Sequence, residues 1–288
     1  MTKWLILIGV ILVLCIAEWM REIFTFKITH YEIVSDKLNA LKEEQKVVFL
    51  TDLHNNSYGK NNEKLLTAIK NQKPDLILIG GDMLVGKPDI LTEVAEHFVG
   101  KLTEICPTYY ANGNHEQRMK IYPEKFGTKY HEYKSVIEKT GVRFLENEHV
   151  DLIIDDCEIQ IHGLEIPREG YKKFRKTFIS LEQIEECIGK ADVTKYQILL
   201  AHNPIYTDTY LKWGADLVLS GHLHGGVVRI PGLGGVITPQ FCLFPKYSGE
   251  LTVKDGKSVV VSKGLGTHTI RIRFLNPAEL IVLHLRGK

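Results

Sequence analysis

The sequence is poor in the features that would assign it to several common classes. Its five cysteines, Cys15, Cys106, Cys157, Cys187 and Cys242, are odd in number and widely spaced, with no Cys-x-x-Cys pair. A zinc ribbon, a dithiol redox site and a disulfide framework therefore find no support, and buried apolar thiols are the ordinary reading for most of the five. Neither charge is in excess. Thirty-six Lys and Arg oppose 35 Asp and Glu, for a net charge of +1, which removes the electrostatic case for nucleic acid. No internal repeat or low-complexity stretch follows residue 30, so nothing suggests a repeat array. What is present suits a folded domain: 44% hydrophobic and 25% charged residues over 288 positions provide for a core. Histidine is plentiful, at 12.

One long apolar run stands out, Trp4 to Ala17, without charge or proline. A helix over it covers about 21 Å, short of the roughly 30 Å hydrocarbon core. Extending it through Trp19 and Met20 nearly closes the gap but includes Glu18. A signal peptidase site needs small residues, and EWMREIF follows instead. Leu14 stands where a lipoprotein signal wants a small residue before Cys15. The reading adopted is an uncleaved membrane anchor over residues 1–30, with Trp4 and Trp19 near the two interfaces. A domain over 31–288 follows. Lys3 on one flank and Arg21 and Lys27 on the other leave the orientation open; the outer face is the expectation for the domain.

Strand and helix signals alternate through the first half. Residues 46–51, 75–80 and 108–111 are short, apolar and rich in β-branched or aromatic side chains, as buried strands are. Residues 61–72 and 89–102 carry helical spacing, the former with Asn61 or Asn62 as cap and Pro74 as stop. Residues 112–140 are polar and predict a loop and a helix. Short strands are expected at 142–147, 149–155 and 157–163, a helix at 181–189 and a buried strand at 196–201. Asn203-Pro204 opens a further helix by side-chain cap and first-position proline, and Gly214 ends it. After a strand at 216–220 the last third is strand-rich (226–230, 249–253, 257–262, 270–274, 278–285), with a glycine-containing loop from Pro231 to Pro245. The expected fold class is α/β, two sheets packed face to face with helices outside, in one domain.

Seven side chains able to hold metal sit just past these strand runs: Asp52 and His54, Asp82, Asn114, His202, His222 and His224. In α/β sheets the carboxyl ends of neighbouring strands converge on one crevice. Seven oxygen and nitrogen donors exceed the needs of one ion and suit two ions sharing a carboxylate, an arrangement for attacking phosphate esters. In an extended segment, residues two apart face the same way, so Asp52 with His54, and His222 with His224, are expected to reach one ion as pairs. Glycines 221, 225 and 226 permit close backbone approach. Each piece has an ordinary alternative: a loop aspartate, a turn on Asn112-Gly113, a glycine turn with exposed histidines, a core histidine at 202. Gly225 and Gly226 stand where an HxHxDH zinc hydrolase needs Asp and His. Oxygen and imidazole donors without thiolate suit Mn, Fe, Zn or Mg, so two divalent ions are expected without a named metal.

Asp52-Leu-His54, Gly81-Asp82, Gly113-Asn114-His115-Glu116, His202 and Gly221-His222-Leu-His224 resemble the signature blocks of calcineurin-like metallophosphoesterases, over about residues 46–285. The C-terminal GHLHGG, FPKYSG and VVVSKGLG are similar to the bacterial membrane-associated branch of YkuE- and YaeI-type enzymes and relatives of UDP-diacylglucosamine pyrophosphatases. Glu116 and Val227 depart from the commoner aspartate and glutamine. The resemblance implies a four-layer αββα sandwich, one ion on Asp52, His54 and His224, the other on Asn114, His202 and His222, and Asp82 between them. It implies His115 beside the leaving group, protonated and able to pass a proton to the departing alkoxide. The implied activity is hydrolysis of a phosphate monoester, diester or pyrophosphate bond by in-line attack of an activated water. Tethering suggests an envelope or lipid-linked substrate, and a non-catalytic scaffold on the same fold is the alternative. Arg271 is a candidate substrate contact and Phe241 to Tyr247 a candidate pocket wall.

Overall fold

The computed structural model describes residues 2–172, 177–226, 229–230, 234–237, 243–267, 273 and 275–288. Arg271, Val227, Phe241 and all but Arg273 of the strand expected at 270–274 lie outside the described residues.

The chain opens with helix α1 (Thr2–Phe24), and its apolar side chains are exposed. Strand β1 (Phe26–Val34) follows at once. It begins inside the segment expected as anchor and pairs along its whole length with the last strand, β14 (Ala278–Arg286). The first half then runs β2 (Gln45–Leu50), α2 (Glu63–Gln72), β3 (Leu76–Ile79), α3 (Glu93–Leu102), β4 (Thr108–Tyr110), α4 (Asn114–Ile121), α5 (Pro123–Phe126), α6 (Lys129–Glu138) and β5 (Arg143–Phe144). The second half runs β6 (Glu148–Ile154), β7 (Cys157–Leu164), α7 (Leu181–Ile188), β8 (Tyr196–Ala201), α8 (Thr207–Trp213), β9 (Leu217–Ser220), β10 (Arg229–Ile230), β11 (Gly234–Gly235), β12 (Leu251–Lys254) and β13 (Lys257–Val261) before β14.

Two six-stranded mixed sheets result, ordered β1-β14-β2-β3-β4-β5 and β12-β13-β9-β8-β7-β6. Strands β2, β3 and β4 are mutually parallel, as are β7, β8, β9 and β13. Alternation sorts each strand's side chains to opposite faces. Val47, Phe49 and Leu78 of the first sheet meet Ile159, Ile198 and Leu219 of the second in one buried layer. The opposite face of the first sheet, with Val48, Leu50 and Ile79, packs on Leu65, Phe98 and Tyr133 of the helices. Leu199 and Val218 of the second sheet pack on Ile184 and Tyr210 of α7 and α8. Helix, sheet, sheet, helix is the expected four-layer sandwich.

Several local expectations are corrected. Asn62 does precede α2, but its side chain does not cap the helix. It is in a left-handed conformation (φ 61°), and its Oδ1 accepts from Tyr58 N at 2.8 Å, which folds the preceding loop. Helix α3 starts at Glu93 rather than 89. Residues before it turn instead, with Ile90 N donating to Lys87 O and Asn55 Nδ2 to Leu91 O. Residues 112–140 hold three helices, not one. Asn203 caps as expected, its side chain accepting from Ile205 N, but a 3-10 turn (Pro204–Tyr206) intervenes before α8, which Gly214 ends at φ 130°. Within the expected loop after Pro231, the described residues include β11 and a bridge between Ile237 and Leu243.

Candidate metal centre

Asp52 and His54 follow β2, Asp82 follows β3, and Asn114 is the first residue of α4 just past β4. His202 follows β8; His222 and His224 follow β9. All are carboxyl ends of parallel strands, so the centre lies in the crevice where the two sheets end together. Asp52, His54 and His224 bring donor atoms within 4.8 Å of one another, as do Asp82, His202 and His222, and His54, Asp82 and His115. His202 Nε2 is 3.1 Å from Asp82 Oδ2, and His54 Nε2 is 3.5 Å from Asp52 Oδ1 and 3.8 Å from Asp82 Oδ2. His54 Nε2 and His224 Nε2 face each other at 3.1 Å.

The backbone that achieves this is not the extended one expected. Asp52 (φ 55°), His54 (φ 48°), Asp82 (φ 55°), His222 (φ 67°) and His224 (φ 49°) are all left-handed. Such conformations cost non-glycine residues energy and persist where surroundings over-determine them. Here they are held by a ladder between the two loops: Asp52 N to Gly81 O at 2.9 Å, His54 N to Asp82 O at 3.0 Å and Asn55 N to Met83 O at 3.0 Å. Asp52 and His54 do share a target, by tight turns rather than by the period-two pleat, but His222 and His224 do not: His222 joins Asp82 and His202, and His224 joins Asp52 and His54. No β-turn forms on Asn112-Gly113 either; Gly113 is extended and leads into α4, and Asn112 Nδ2 donates to Tyr130 and Glu165.

Hydrogen bonds outside the centre orient the donors. His202 Nδ1 donates to Gly80 O at 2.7 Å and His224 Nδ1 to Gly266 O at 3.2 Å, so each turns Nε2 inward as the atom left to bind a cation. His222 N donates to both Asp52 oxygens, at 3.2 and 3.0 Å, and His115 N to Asp82 Oδ1 at 2.8 Å. His222 Nε2 and Asn114 Oδ1 are buried without a hydrogen-bond partner. Buried polar atoms are rarely left so. Two carboxylates, four imidazoles and one amide oxygen, with inward lone pairs unsatisfied, fit divalent cations.

Charge follows the same logic. Burial alone would raise the Asp52 and Asp82 carboxyls, but the surrounding histidine charges outweigh it and hold both below the ordinary range. Burial disfavours a charged His202, yet Asp82 and Asp52 reverse that and lift it to about 10. Burial drives His222 and His224 down to about 3, leaving them neutral donors.

His115 stands at the edge, its Nε2 3.9 Å from Asp82 Oδ2. Its Nδ1 accepts from Gly86 N at 2.7 Å. That bond places the ring proton on Nε2 and makes the ring a neutral N–H donor.

Glu116, which the sequence marks only as a departure from the commoner aspartate, is fully buried and holds the loops in place. Its Oε2 accepts from Asp82 N (2.8 Å) and Gly113 N (3.1 Å), and its Oε1 from Leu84 N (3.2 Å) and the Tyr110 hydroxyl (2.9 Å). Burial, then the Asp82 charge, pushes its carboxyl up to about 7 against those donors. Tyr171, in the 3-10 turn Arg168–Tyr171, sets its ring edge-on to His222 at 5.2 Å. No motif announced it.

Residues 45–226 match the model of the calcineurin-like phosphoesterase family. Over 269 residues the chain is 27% identical to a protein of Aquifex aeolicus (strain VF5) named an uncharacterized metallophosphoesterase, spanning 93% of this chain and 94% of that one. It is 26% identical over 247 residues to the uncharacterized metallophosphoesterase YkuE of Bacillus subtilis (strain 168), spanning 84% and 79% of the two chains. Identity is 24% over 244 residues to the phosphodiesterase YaeI of Escherichia coli (strain K12), spanning 82% of each.

Proposed function

The chain belongs to the calcineurin-like phosphoesterase family and is a metal-dependent phosphoesterase, and on that premise we propose a two-ion hydrolase working on a phosphate ester at a membrane surface. One observation carries the two-ion reading: Asp82 stands in two donor clusters at once, with His202 and His222 in one and with His54 and His115 in the other, and His54 stands in turn with Asp52 and His224. Asp52, His54 and His224 would hold one ion, Asn114, His202 and His222 the second, and Asp82 both.

Two divalent ions held so supply a charge clamp on the phosphoryl oxygens and lower the pKa of water. The protein does the rest. Glu116 fixes the Asp82 backbone, and the loop ladder fixes Asp52 against it. The Nε2–H of His115 points to where negative charge grows as the ester bond breaks, and its hydrogen bond stabilises that charge. With Nδ1 engaged by Gly86, His115 acts by hydrogen bonding rather than by handing over a proton as a cation. The monoester, diester and pyrophosphate reactions share this apparatus.

The membrane reading rests on α1. Lys3–Phe24 is long and apolar enough to cross a bilayer, and its apolar window is unburied, with only Glu22 and Ile23 at its end buried. Its last turn is tied to the centre. Asn276 N donates to Glu22 Oε1 at 3.0 Å, and Asn276 Nδ2 donates to His224 O at 2.7 Å. A helix leaving the bilayer there brings the crevice close to headgroup depth, which favours an envelope or lipid-linked phosphate ester on the outer face.

Turnover of bis-p-nitrophenyl phosphate and p-nitrophenyl phosphate by metal-loaded protein tests the catalytic reading. Asp82→Asn should fall to background and His115→Ala by about 10²-fold or more, the size of losing one donor to the developing charge. Equal background rates for wild type and both variants would leave a scaffold, not an enzyme.

A further inference from the structure

Two guanidinium groups flank the centre on the Asn114 side, and among the described residues no carboxylate forms an ion pair with either. Arg118 lies one turn along α4 from Asn114, so the two share a helix face. Arg168 comes from the 3-10 turn before α7, and its Nη1 donates to Asn114 O at 2.8 Å. Among the described residues neither makes an ion pair, whereas Arg21, Arg229 and Arg286 each pair with a glutamate; Arg143 and Arg273 are also without one and donate to backbone carbonyls. Aromatic rings place both: Arg118 lies over Phe126 at 5.5 Å and Arg168 over Tyr171 at 5.9 Å. Arg118 Nε is buried without a hydrogen-bond partner. A methyl group added at Gly86 would meet Arg118 Nη2 and His115 Nδ1 at 3.2 Å each, which sets the guanidinium beside the His115 ring.

Guanidinium does not shed its proton, so two of them half-buried together repel. Burial and then the Arg168 charge lower the pKa of Arg118. The Asp82 charge offsets this only in part, and an anion between the two would offset more. A single phosphoryl dianion already balances two divalent ions beside the Asp52 and Asp82 carboxylates. The arginines are therefore surplus to one phosphate.

We propose that Arg118 and Arg168 form a subsite for a second phosphate of the substrate, next to the one attacked, so that diphosphate-linked esters are the preferred class. This rests on the phosphoesterase reading above. In the reaction the oxygen of water bonds to the attacked phosphorus and the bridging P–O bond breaks. The departing phosphate keeps the bridging oxygen and its electron pair on the arginine side, and the water protons pass to product phosphate or solvent.

The test is calorimetric binding of inorganic phosphate and of methylenediphosphonate, an uncleavable two-phosphorus anion, to metal-loaded full-length protein in detergent. Wild type should bind the diphosphonate more tightly than phosphate. Arg118→Gln and Arg168→Gln should each weaken the diphosphonate by about tenfold, the worth of a charge-assisted hydrogen bond, and phosphate by much less. Arg118→Lys should restore part of the loss, and the exposed Lys139→Gln should match wild type, so any metal stripping by the diphosphonate is seen equally in all. Equal weakening of both anions in the arginine variants would place the guanidiniums on the attacked phosphate, and no weakening of either would remove them from the site; both results overturn the subsite. Failure of ester turnover in wild type would instead sink the catalytic reading, since binding is measured without it.

Discussion

Gly221 is the place where the metal centre is most exposed to a single added carbon. It is not in the left-handed region, so backbone strain is not the issue; space is. A methyl group there would fall on Asp52 Oδ2 and Thr51 Oγ1, and 2.9 Å from Thr51 Cγ2. Carbon contacts settle at about 3.5–4.0 Å, so the Thr51 methyl must yield by more than half an ångström and the Asp52 carboxylate by about 1 Å. Asp52 cannot yield quietly, because its oxygens accept from His222 N at 3.0 and 3.2 Å and from Thr51 Oγ1 at 2.9 Å. The overpacking should cost about 1–3 kcal/mol, which leaves the protein folded. A 1 Å misplacement is worth about 10²-fold in rate. Gly221→Ala should therefore lower kcat/KM for bis-p-nitrophenyl phosphate about 10²-fold and reduce metal retained after dialysis, read by elemental analysis, with Tm lowered by only several degrees. Gly9→Ala is the matched control, since Gly9, in α1, is not in the left-handed region and has nothing within 4 Å of an added carbon. Full metal retention and turnover within threefold of wild type in Gly221→Ala would refute the close-approach argument.

Other outcomes follow from the same geometry. Glu116→Ala orphans three backbone N–H groups, leaves the Tyr110 hydroxyl only its long bond to the Tyr133 hydroxyl, and should cost roughly 3–5 kcal/mol in urea unfolding; a loss within 0.5 kcal/mol of zero, by the same order-of-magnitude reasoning, would show that Asp82 is held by other means. Chelating the metal should lower Tm by roughly 5–10 °C, since an ion present at a hundred times its Kd adds about 2.7 kcal/mol; an unchanged Tm with metal loss verified would contradict the site. His202 carries its proton up to about pH 10 in the metal-free protein. Its pKa is raised, so its stabilisation is full below the ordinary histidine value and fades as pH climbs toward 10. Binding Mn²⁺ at pH 8 should then expel about one proton from it, measurable by calorimetry in buffers of differing ionisation enthalpy, and His202→Ala should abolish that release.

The centre was legible because its ligands follow runs that can hardly be anything but buried parallel strands. LILI and YQILLA have no polar face to offer water, and the residues just beyond them must meet at the sheet ends. The pairing of Asp52 with His54 was legible for a different reason than the one that operates, since a pleat and a left-handed turn both bring residues two apart to one target. Strand β1 escaped notice because it is an edge strand with interleaved charges, FKITHYEIV, and only its pairing with β14 makes it a strand. Glu116, Arg118, Arg168 and Tyr171 were not legible as site residues. Their roles depend on which loop lies across from them, and no local spacing records that.

Two of the donor clusters draw on both sheets: Asp52 and His54 of the first close on His224 of the second, and Asp82 of the first closes on His202 and His222 of the second, whereas His54, Asp82 and His115 all belong to the first. A chain emerging from the ribosome has displayed its early aspartates and His54 long before its late histidines exist. Those early donors are only part of the set, which His202, His222 and His224 complete. Tight uptake must wait until the second layer has docked on the first, so the cargo of ions certifies that both layers have been assembled, and a half-built molecule neither hoards metal nor cleaves what it meets.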